Sequence, residues 1–259
     1  LVAGSSRSPS QSAKVAHYLR QRLIQLGHSS AEQCQVVGLG ATPLPLWPAA
    51  DSGPWPTIQQ QLAQADALVV IAPEWHGMAC PAIKNFFIYA SKAELAHKPG
   101  LLVGVSSGVG GAYPISELRA SSYKNCRLCY VPEHLIVRHV EQSFNPGEPG
   151  DDNDRRIRER ADYALDVLIK YAHALKPLRA SIDLAAASEL DMVQASELAA
   201  ITLASFGGEL TTEAERAECE EMLDAVIGNW GALGRRSPDV LREGFLPRDG
   251  ELVLKESGW

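Results

Sequence analysis

The first residues whose types and spacing could do chemistry form a Ser-rich loop near the start of the sequence. It reads Gly4-Ser5-Ser6-Arg7-Ser8-Pro9-Ser10-Gln11-Ser12, between a short apolar run and a helical pattern. Glycine allows a close turn, serine hydroxyls and free helix amides donate hydrogen bonds, and the helix dipole favours negative charge. Arg7 adds a planar donor fork that suits phosphate. The loop predicts a site for a terminal phosphate, although a loop that only caps a helix remains an alternative.

The glycine spacing in this loop argues against two common nucleotide sites. It matches neither Gly-x-Gly-x-x-Gly nor Gly-x-x-x-x-Gly-Lys, the fingerprints of Rossmann dinucleotide folds and P-loop NTPases. Both of those classes of protein are therefore disfavoured.

Two further loops have residues suited to a flat ligand. The first is Ala72-Pro73-Glu74-Trp75-His76-Gly77-Met78, and the second is Ser106-Ser107-Gly108-Val109-Gly110-Gly111-Ala112. Trp75 can form an aromatic wall, and the glycines let backbone amides approach the polar edge of a heterocycle. Together with the first loop, they predict a planar, phosphorylated ligand.

The elements that must position these loops alternate between strand and helix. Short apolar runs at 36–39, 67–72, 101–105 and 135–140 are typical of strands buried on both faces. Helical patterns cover 10–26, 57–64, 81–93, 112–127 and 154–175. With a short strand before Gly4, we expect an α/β three-layer sandwich with a five-stranded parallel sheet in the order 2-1-3-4-5. The three loops would then meet at the carboxyl ends of the strands.

The alternation of strand and helix stops after Pro177. Helical patterns at 188–206 and 211–230 precede a Gly/Pro-rich tail at 231–259. We therefore expect two parts, a ligand-binding domain at 1–177 and a helical C-terminal extension at 178–259. Only three residues precede Gly4, so the sequence also predicts that the natural chain begins earlier.

Four motifs taken together resemble the NADPH-dependent FMN reductase family, which includes quinone, azo and chromate reductases and arsenic-resistance flavoproteins. The family pattern is Gly-Ser-x-Arg with a Ser three residues later, Pro-Glu-Tyr-Asn-Gly, Leu-Lys-Asn, and Ser-x-Gly with Gly-Gly. The matching segments are Gly4-Ser5-Ser6-Arg7 with Ser10, Pro73-Glu74-Trp75-His76-Gly77, Ile83-Lys84-Asn85, and Ser106-Ser107-Gly108 with Gly110-Gly111. Their order and spacing agree over residues 1 to about 175. Trp75 replaces the commoner Tyr and His76 the commoner Asn, which bears on acceptor preference and flavin potential.

The resemblance implies a flavodoxin-like fold, bound FMN, and NADPH or NADH as co-substrate. The implied phosphate ligands are Ser5, Arg7, Ser10, Gln11 and Ser12. The implied neighbours of the ring are Pro73, Glu74, Trp75, His76 and Gly77 on one side and Ser107, Gly108 and Gly111 on the other. Flavin N5 would accept the hydride, so we expect no catalytic side chain, with His76 as a possible assisting donor.

The resemblance leaves the electron acceptor open. It could be a quinone, free flavin, an azo compound or a metal oxyanion. Two alternatives to a reductase are a non-enzymatic, flavodoxin-like electron carrier and a regulatory protein that senses flavin redox state.

Composition narrows the possible partners and the compartment. A formal charge of -7 and a pI near 5.5 predict binding to neither nucleic acid nor membrane. The five cysteines are an odd number in a large chain, which favours reduced thiols and a cytoplasmic location. Cys126-x-x-Cys129 has no second pair, so we predict no metal site. A homodimer or homotetramer is expected.

Overall fold

The computed structural model describes residues 1–182 and, at the backbone level, two strands at 245–248 and 251–254. The chain divides into two compact units, Leu1–Ser181 and Ile182–Trp259. In chain order, the elements of the first unit are β1 Val2–Ala3, α1 Gln11–Gln25, β2 Val37–Gly38, α2 Trp55–Gln64, β3 Leu68–Trp75, β4 Met78–Ala79, α3 Pro81–Tyr89, α4 Lys92–Leu95, β5 Pro99–Val105, α5 Ala112–Ser121, β6 Cys129–Val137 and α6 Asp152–Ser181. None of the helices in the described ranges is long and apolar enough to cross a membrane.

The central sheet of the first unit has the strand order β2-β1-β3-β5-β6, and all of these strands are parallel. The short strand β4 lies off this path and pairs antiparallel with the end of β3. Counting only the parallel strands gives the order 2-1-3-4-5. The predicted flavodoxin-like α/β sheet is therefore confirmed.

Helices cover both faces of this sheet because its middle strands are apolar on both sides. Successive residues of β3 point to opposite faces, so Val70 packs in the core beneath α2, α3 and α5. Its neighbours Val69 and Ile71 pack in the core beneath α1 and α6. Every residue of β5 is buried. These two cores give the three layers and leave the strand ends as the accessible edge.

The first helix begins where its sequence indicates. The side chain of Ser10 caps it by accepting a hydrogen bond from the Ala13 amide (3.1 Å), as serine commonly does at this position. Val15, Leu19 and Leu23 are buried along one face. The cap fixes the direction in which the loop before it enters the helix.

Strand β6 and helix α6 extend furthest beyond their predicted limits. Strand β6 begins at Cys129 rather than at residue 135, and polar side chains in its first half conceal it from a search for apolar runs. Helix α6 continues through Pro177 to Ser181 instead of ending near residue 175. Lys176 and Arg179 both pair with Asp66 at 2.7 Å, and these contacts hold the last turns against the start of β3.

In the second unit, β7 (Phe245–Arg248) pairs antiparallel with β8 (Glu251–Leu254). From composition this segment was expected to be a Gly/Pro-rich tail, although Asp249-Gly250 between the strands is a known hairpin signal. The extension is thus not wholly helical. The helices predicted at 188–206 and 211–230 lie outside the described residues, and the domain boundary after residue 177 stays a prediction.

Candidate functional site

A cavity of about 700 Å³ lies at the carboxyl edge of the parallel strands, where the loops after β1, β3, β5 and β6 meet. Its wall contains ten of the residues that the sequence analysis proposed: Ser5, Arg7, Ser10, Gln11, Ser12, Pro73, Glu74, Trp75, His76 and Ser107. Gly77, Gly108 and Gly111 are not part of this wall. Pro9, Lys14, Val105, Ser106, Val140 and Glu141 also line it, and the sequence analysis did not propose them.

One end of the cavity is formed by the loop between β1 and α1. Ser5 is buried, and its hydroxyl accepts a hydrogen bond from the Arg7 amide (3.2 Å). The Ser12 hydroxyl is inaccessible to solvent and has no hydrogen-bond partner within the described residues. A buried hydroxyl without a partner is costly. A phosphate oxygen would give it an acceptor, so this end of the cavity fits the phosphate of FMN.

Arg7 joins this end of the cavity to the side that contains Trp75. Its guanidinium carbon lies 4.9 Å from the centroid of the Trp75 ring, a cation–π contact. The backbone behind it is tightly packed, because a Cβ added to Gly40 would lie 2.0 Å from the Arg7 carbonyl oxygen. Glycine at position 40 therefore lets the end of β2 support the loop.

The opposite side of the cavity begins with a tight hairpin between β3 and β4. Trp75 pairs with Met78, and the two residues between them have positive φ, 50° at His76 and 73° at Gly77. This combination is typical of a type I′ turn, which favours Asn-Gly. His76 is exposed and lies in the left-handed region, which residues other than Gly seldom adopt and in which Asn, Asp and His are the most frequent exceptions.

Glu74 connects this hairpin to the loop after β5. Its carboxylate accepts hydrogen bonds from the Gly111 amide (2.6 Å) and the Tyr113 amide (3.3 Å). A Cβ on Gly110 would lie 2.5 Å from Glu74 Oε1, so a side chain at this position would displace the Glu74 carboxylate. The Gly111 amide, which the sequence analysis expected at the ligand edge, is thus bound to Glu74.

The fourth wall comes from the loop after β6, which the sequence analysis did not include. Lys14 Nζ donates to Val140 O (2.5 Å), Ser143 O (2.9 Å) and Asn145 Oδ1 (3.0 Å). Burial lowers the pKa of Lys14, although the nearby Glu141 and Asp154 oppose this effect. A signal was available, because ligands in open parallel sheets bind beyond the carboxyl ends of the strands, and this loop follows such an end.

The Ile83-Lys84-Asn85 motif supports the site from outside the cavity. Asn85 Nδ2 donates to Pro45 O (2.8 Å), and Asn85 Oδ1 accepts from the Trp47 amide (3.0 Å). Lys84 forms an ion pair with Glu117, which also accepts from the Ala79 amide. These contacts fix the loop before α2 and join α3 to α5.

The cysteine pair plays no visible part in the site. Cys126 is buried and donates to the Ser122 carbonyl, and both Cys126 and Cys129 are free thiols. Within the part of the chain that the structure describes, no three His, Cys, Asp or Glu side chains form a group that could hold a metal ion.

The family model for NADPH-dependent FMN reductases matches residues 1–142, and the chain belongs to that family. The predicted family, with FMN as its cofactor, is confirmed. A second family model, for the contractile injection system tape measure protein, matches residues 187–259.

Curated relatives are named for related reductions. An NADPH azoreductase from Bacillus sp. (strain OY1-2) is 33% identical over 94 residues, which cover 34% of this chain and 48% of the azoreductase. The alignment thus spans about half the length of that relative. A 2-hydroxy-1,4-benzoquinone reductase from Burkholderia sp is 29% identical over 155 residues, covering 56% of this chain and 80% of that enzyme.

Solved structures share the fold at low identity. A flavoenzyme NAD(P)H:(acceptor) oxidoreductase from Paracoccus denitrificans has a TM-score of 0.51 and 21% identity, covering 67% of this chain and 96% of its own. An apo NADH:FMN oxidoreductase has a TM-score of 0.52 and 16% identity, covering 68% and 88%. At such identity these structures support the fold alone.

Proposed function

We propose that this chain is an NAD(P)H-dependent reductase that passes electrons from a nicotinamide, by way of bound FMN, to a small acceptor. The observation that supports this most is that the loop after β1 and Trp75 line the same cavity. In that loop the Ser12 hydroxyl has no hydrogen-bond partner among residues 1–182. A phosphorylated, flat ligand uses both parts. FMN supplies a hydride acceptor at its N5 atom.

In this proposal one segment of the cavity binds the phosphate and the others contact the ring. The phosphate is bound by Ser5, Arg7, Ser10, Gln11 and Ser12. The ring lies against Pro73, Glu74, Trp75 and His76, and its other edge faces Ser107. Gly77, Gly108 and Gly111 shape the loops that carry these residues. His76 is exposed on the hairpin, where its imidazole can donate a hydrogen bond to an acceptor oxygen.

The acceptor that we propose is a quinone or an azo compound. The relatives named as benzoquinone reductase and azoreductase support this choice. Both acceptors are flat and conjugated, so they can stack on an exposed ring system.

Anaerobic titration of the FMN-loaded full chain with NADPH, and separately with NADH, tests the function. We expect the flavin absorbance near 450 nm to be lost with one equivalent of the preferred nicotinamide and restored by benzoquinone, at a rate that supports turnover. Flavin that NADPH and NADH both leave oxidised would instead favour an electron carrier of the flavodoxin type. A protein that takes up no FMN in excess would refute the whole proposal.

We also propose that the chain is cytoplasmic and forms a homodimer or homotetramer. The free thiols of Cys34, Cys80, Cys126 and Cys129 support the cytoplasmic location.

The oligomer is supported by exposed apolar side chains. Met78 on β4 and Ile88 on α3 are each 52% exposed, as expected of a surface that a second copy of the chain covers. Sedimentation of the full chain and of Ile88→Lys tests this: we expect a dimer or tetramer that the variant weakens, and a monomeric parent protein would contradict it.

A second candidate function concerns residues 187–259. The match to the tape measure family model supports a role of this segment in assembly with a contractile injection apparatus. The test mixes the FMN-loaded full chain with purified apparatus, pellets the particles and measures flavin absorbance in the pellet. We expect the flavin to sediment with the particles, and flavin that stays in the supernatant would contradict this role.

A further inference from the structure

The loop after β5 is held in a fixed register by the loop after β6. The Ser106 amide donates to Val137 O (3.0 Å), the Val140 amide to Ser106 O (3.2 Å), and the His139 amide to Gly108 O (3.1 Å). These backbone bonds lie on both sides of Ser107. They place its side chain opposite Glu141, in the wall of the cavity.

Ser107 and Glu141 form a hydrogen bond in which the hydroxyl must be the donor, because a carboxylate can only accept. The Ser107 hydroxyl donates to Glu141 Oε1 at 2.8 Å. The Glu141 backbone amide and the Ser107 hydroxyl hold the pKa of this carboxyl below its usual value, and Lys14 and His139 act in the same direction. Glu141 is therefore ionised at neutral pH and can only accept hydrogen bonds.

A serine hydroxyl has one proton and two lone pairs. Both side chains are exposed, and while the Ser107 hydroxyl donates to Glu141 it offers only lone pairs to a group in the cavity. Lys14 stabilises this arrangement, because two of its three hydrogen bonds hold the backbone carbonyls of Val140 and Ser143, on both sides of Glu141.

We propose that Glu141 is a positioning residue that keeps Ser107 as a hydrogen-bond acceptor toward the FMN ring. This inference rests on the proposed function. The pyrimidine edge of the flavin ring has both carbonyl oxygens and an N–H group, so the direction of the Ser107 hydroxyl determines which of them it can bind. With its proton directed to Glu141, the Ser107 hydroxyl can accept a hydrogen bond from the flavin N–H group but cannot donate one to a flavin carbonyl oxygen.

A double-mutant cycle on the full chain tests the inference, with Glu141→Gln, Ser107→Ala and their combination. Glutamine has the shape of glutamate, but its amide can donate to Ser107 and so release the serine proton. FMN affinity is measured by flavin fluorescence titration, and the midpoint potential of bound flavin by spectroelectrochemistry. Glu159→Gln is the matched control, because it removes one exposed carboxylate on α6, away from the cavity.

We expect Glu141→Gln and Ser107→Ala each to weaken FMN binding by about 3- to 10-fold, the value of one hydrogen bond. The double variant should equal Ser107→Ala, and the potential shift caused by Glu141→Gln should vanish when Ser107 is absent. Effects of Glu141→Gln that persist in the Ser107→Ala background would overturn the inference, since charge alone would then explain them. If the parent protein binds no FMN, the proposed function fails and the inference fails with it.

Discussion

At one end of the cavity, residues 5–12 supply every predicted phosphate ligand from one continuous segment. At the other end, three segments that are distant in sequence form the wall, and two carboxylates, Glu74 and Glu141, hold the loop after β5 between them. The first end depends on the start of a helix, which a short sequence can encode. The second depends on side-chain contacts that span more than thirty residues.

This difference predicts distinct effects on two ligands. Riboflavin has the ring of FMN but no phosphate. A change at the phosphate end should therefore weaken FMN alone, whereas a change at the ring end should weaken FMN and riboflavin together. The ratio of the two affinities reports which end has been disturbed.

The largest effect is expected for Arg7→Ala. Loss of a charged donor should reduce FMN affinity by roughly 2–3 kcal/mol, or about 30- to 150-fold, with a much smaller change for riboflavin. Fluorescence titration with both ligands measures this, and Arg7→Lys, which keeps the charge, is the comparison. Equal losses of affinity for FMN and riboflavin would instead show that Arg7 acts on the flavin ring, on the side where it contacts Trp75.

Two glycines allow the ends to be disturbed separately. A Cβ at Gly40 would lie 2.0 Å from Arg7 O, and one at Gly104 would lie 2.0 Å from Gly111 O. Each alanine variant should lower the free energy of unfolding by about 2 kcal/mol through overpacking, as measured by urea denaturation. Gly40→Ala should weaken FMN alone, and Gly104→Ala should weaken both ligands.

Gly38→Ala is the matched control for this pair. Its Cβ would meet Ala41 Cβ at 3.8 Å, an ordinary contact, so stability should change little. If Gly40→Ala and Gly104→Ala gave the same ratio of FMN to riboflavin affinity, the two ends would not be separable.

Glu74→Gln should have a smaller effect, confined to the ring end. The carboxylate accepts from two amides, and the variant replaces a charged acceptor by a neutral one. We expect a loss of about 1 kcal/mol in the free energy of unfolding and parallel losses of FMN and riboflavin affinity. Urea denaturation and the two titrations measure this. A selective loss of FMN affinity would contradict the position of Glu74 at the ring end.

The smallest effect is expected for His76→Asn, and it is stabilising. Histidine at φ 50° occupies a turn position that favours asparagine, so the free energy of unfolding should rise by about 0.5 kcal/mol. Urea denaturation measures this change. If His76 assists as a donor, quinone turnover by the same variant should fall although the protein is more stable. An unchanged turnover would remove that role.

The sequence alone predicted the buried strands and the loop after β1 because both arise from local patterns, and the strand order followed from the usual topology of such sheets. Buried parallel strands such as β5 appear as continuous apolar runs, and Ser10 is recognisable as a helix cap. By contrast, β6 escaped prediction in its first half because polar residues interrupt its apolar pattern. The hairpin at 245–254 escaped although Asp249-Gly250 indicates such a turn.

Sequence determined which residues could bind a phosphorylated, flat cofactor, because residue type and spacing along each of three loops decide that chemistry. Tertiary structure decided their partners. Arg7 lies over Trp75, Glu74 accepts a hydrogen bond from the Gly111 amide, and Glu141 accepts one from the Ser107 hydroxyl. Each of these contacts joins residues that become neighbours only when the strands pair with their carboxyl ends at one edge of the sheet. No local sequence pattern predicts such a contact.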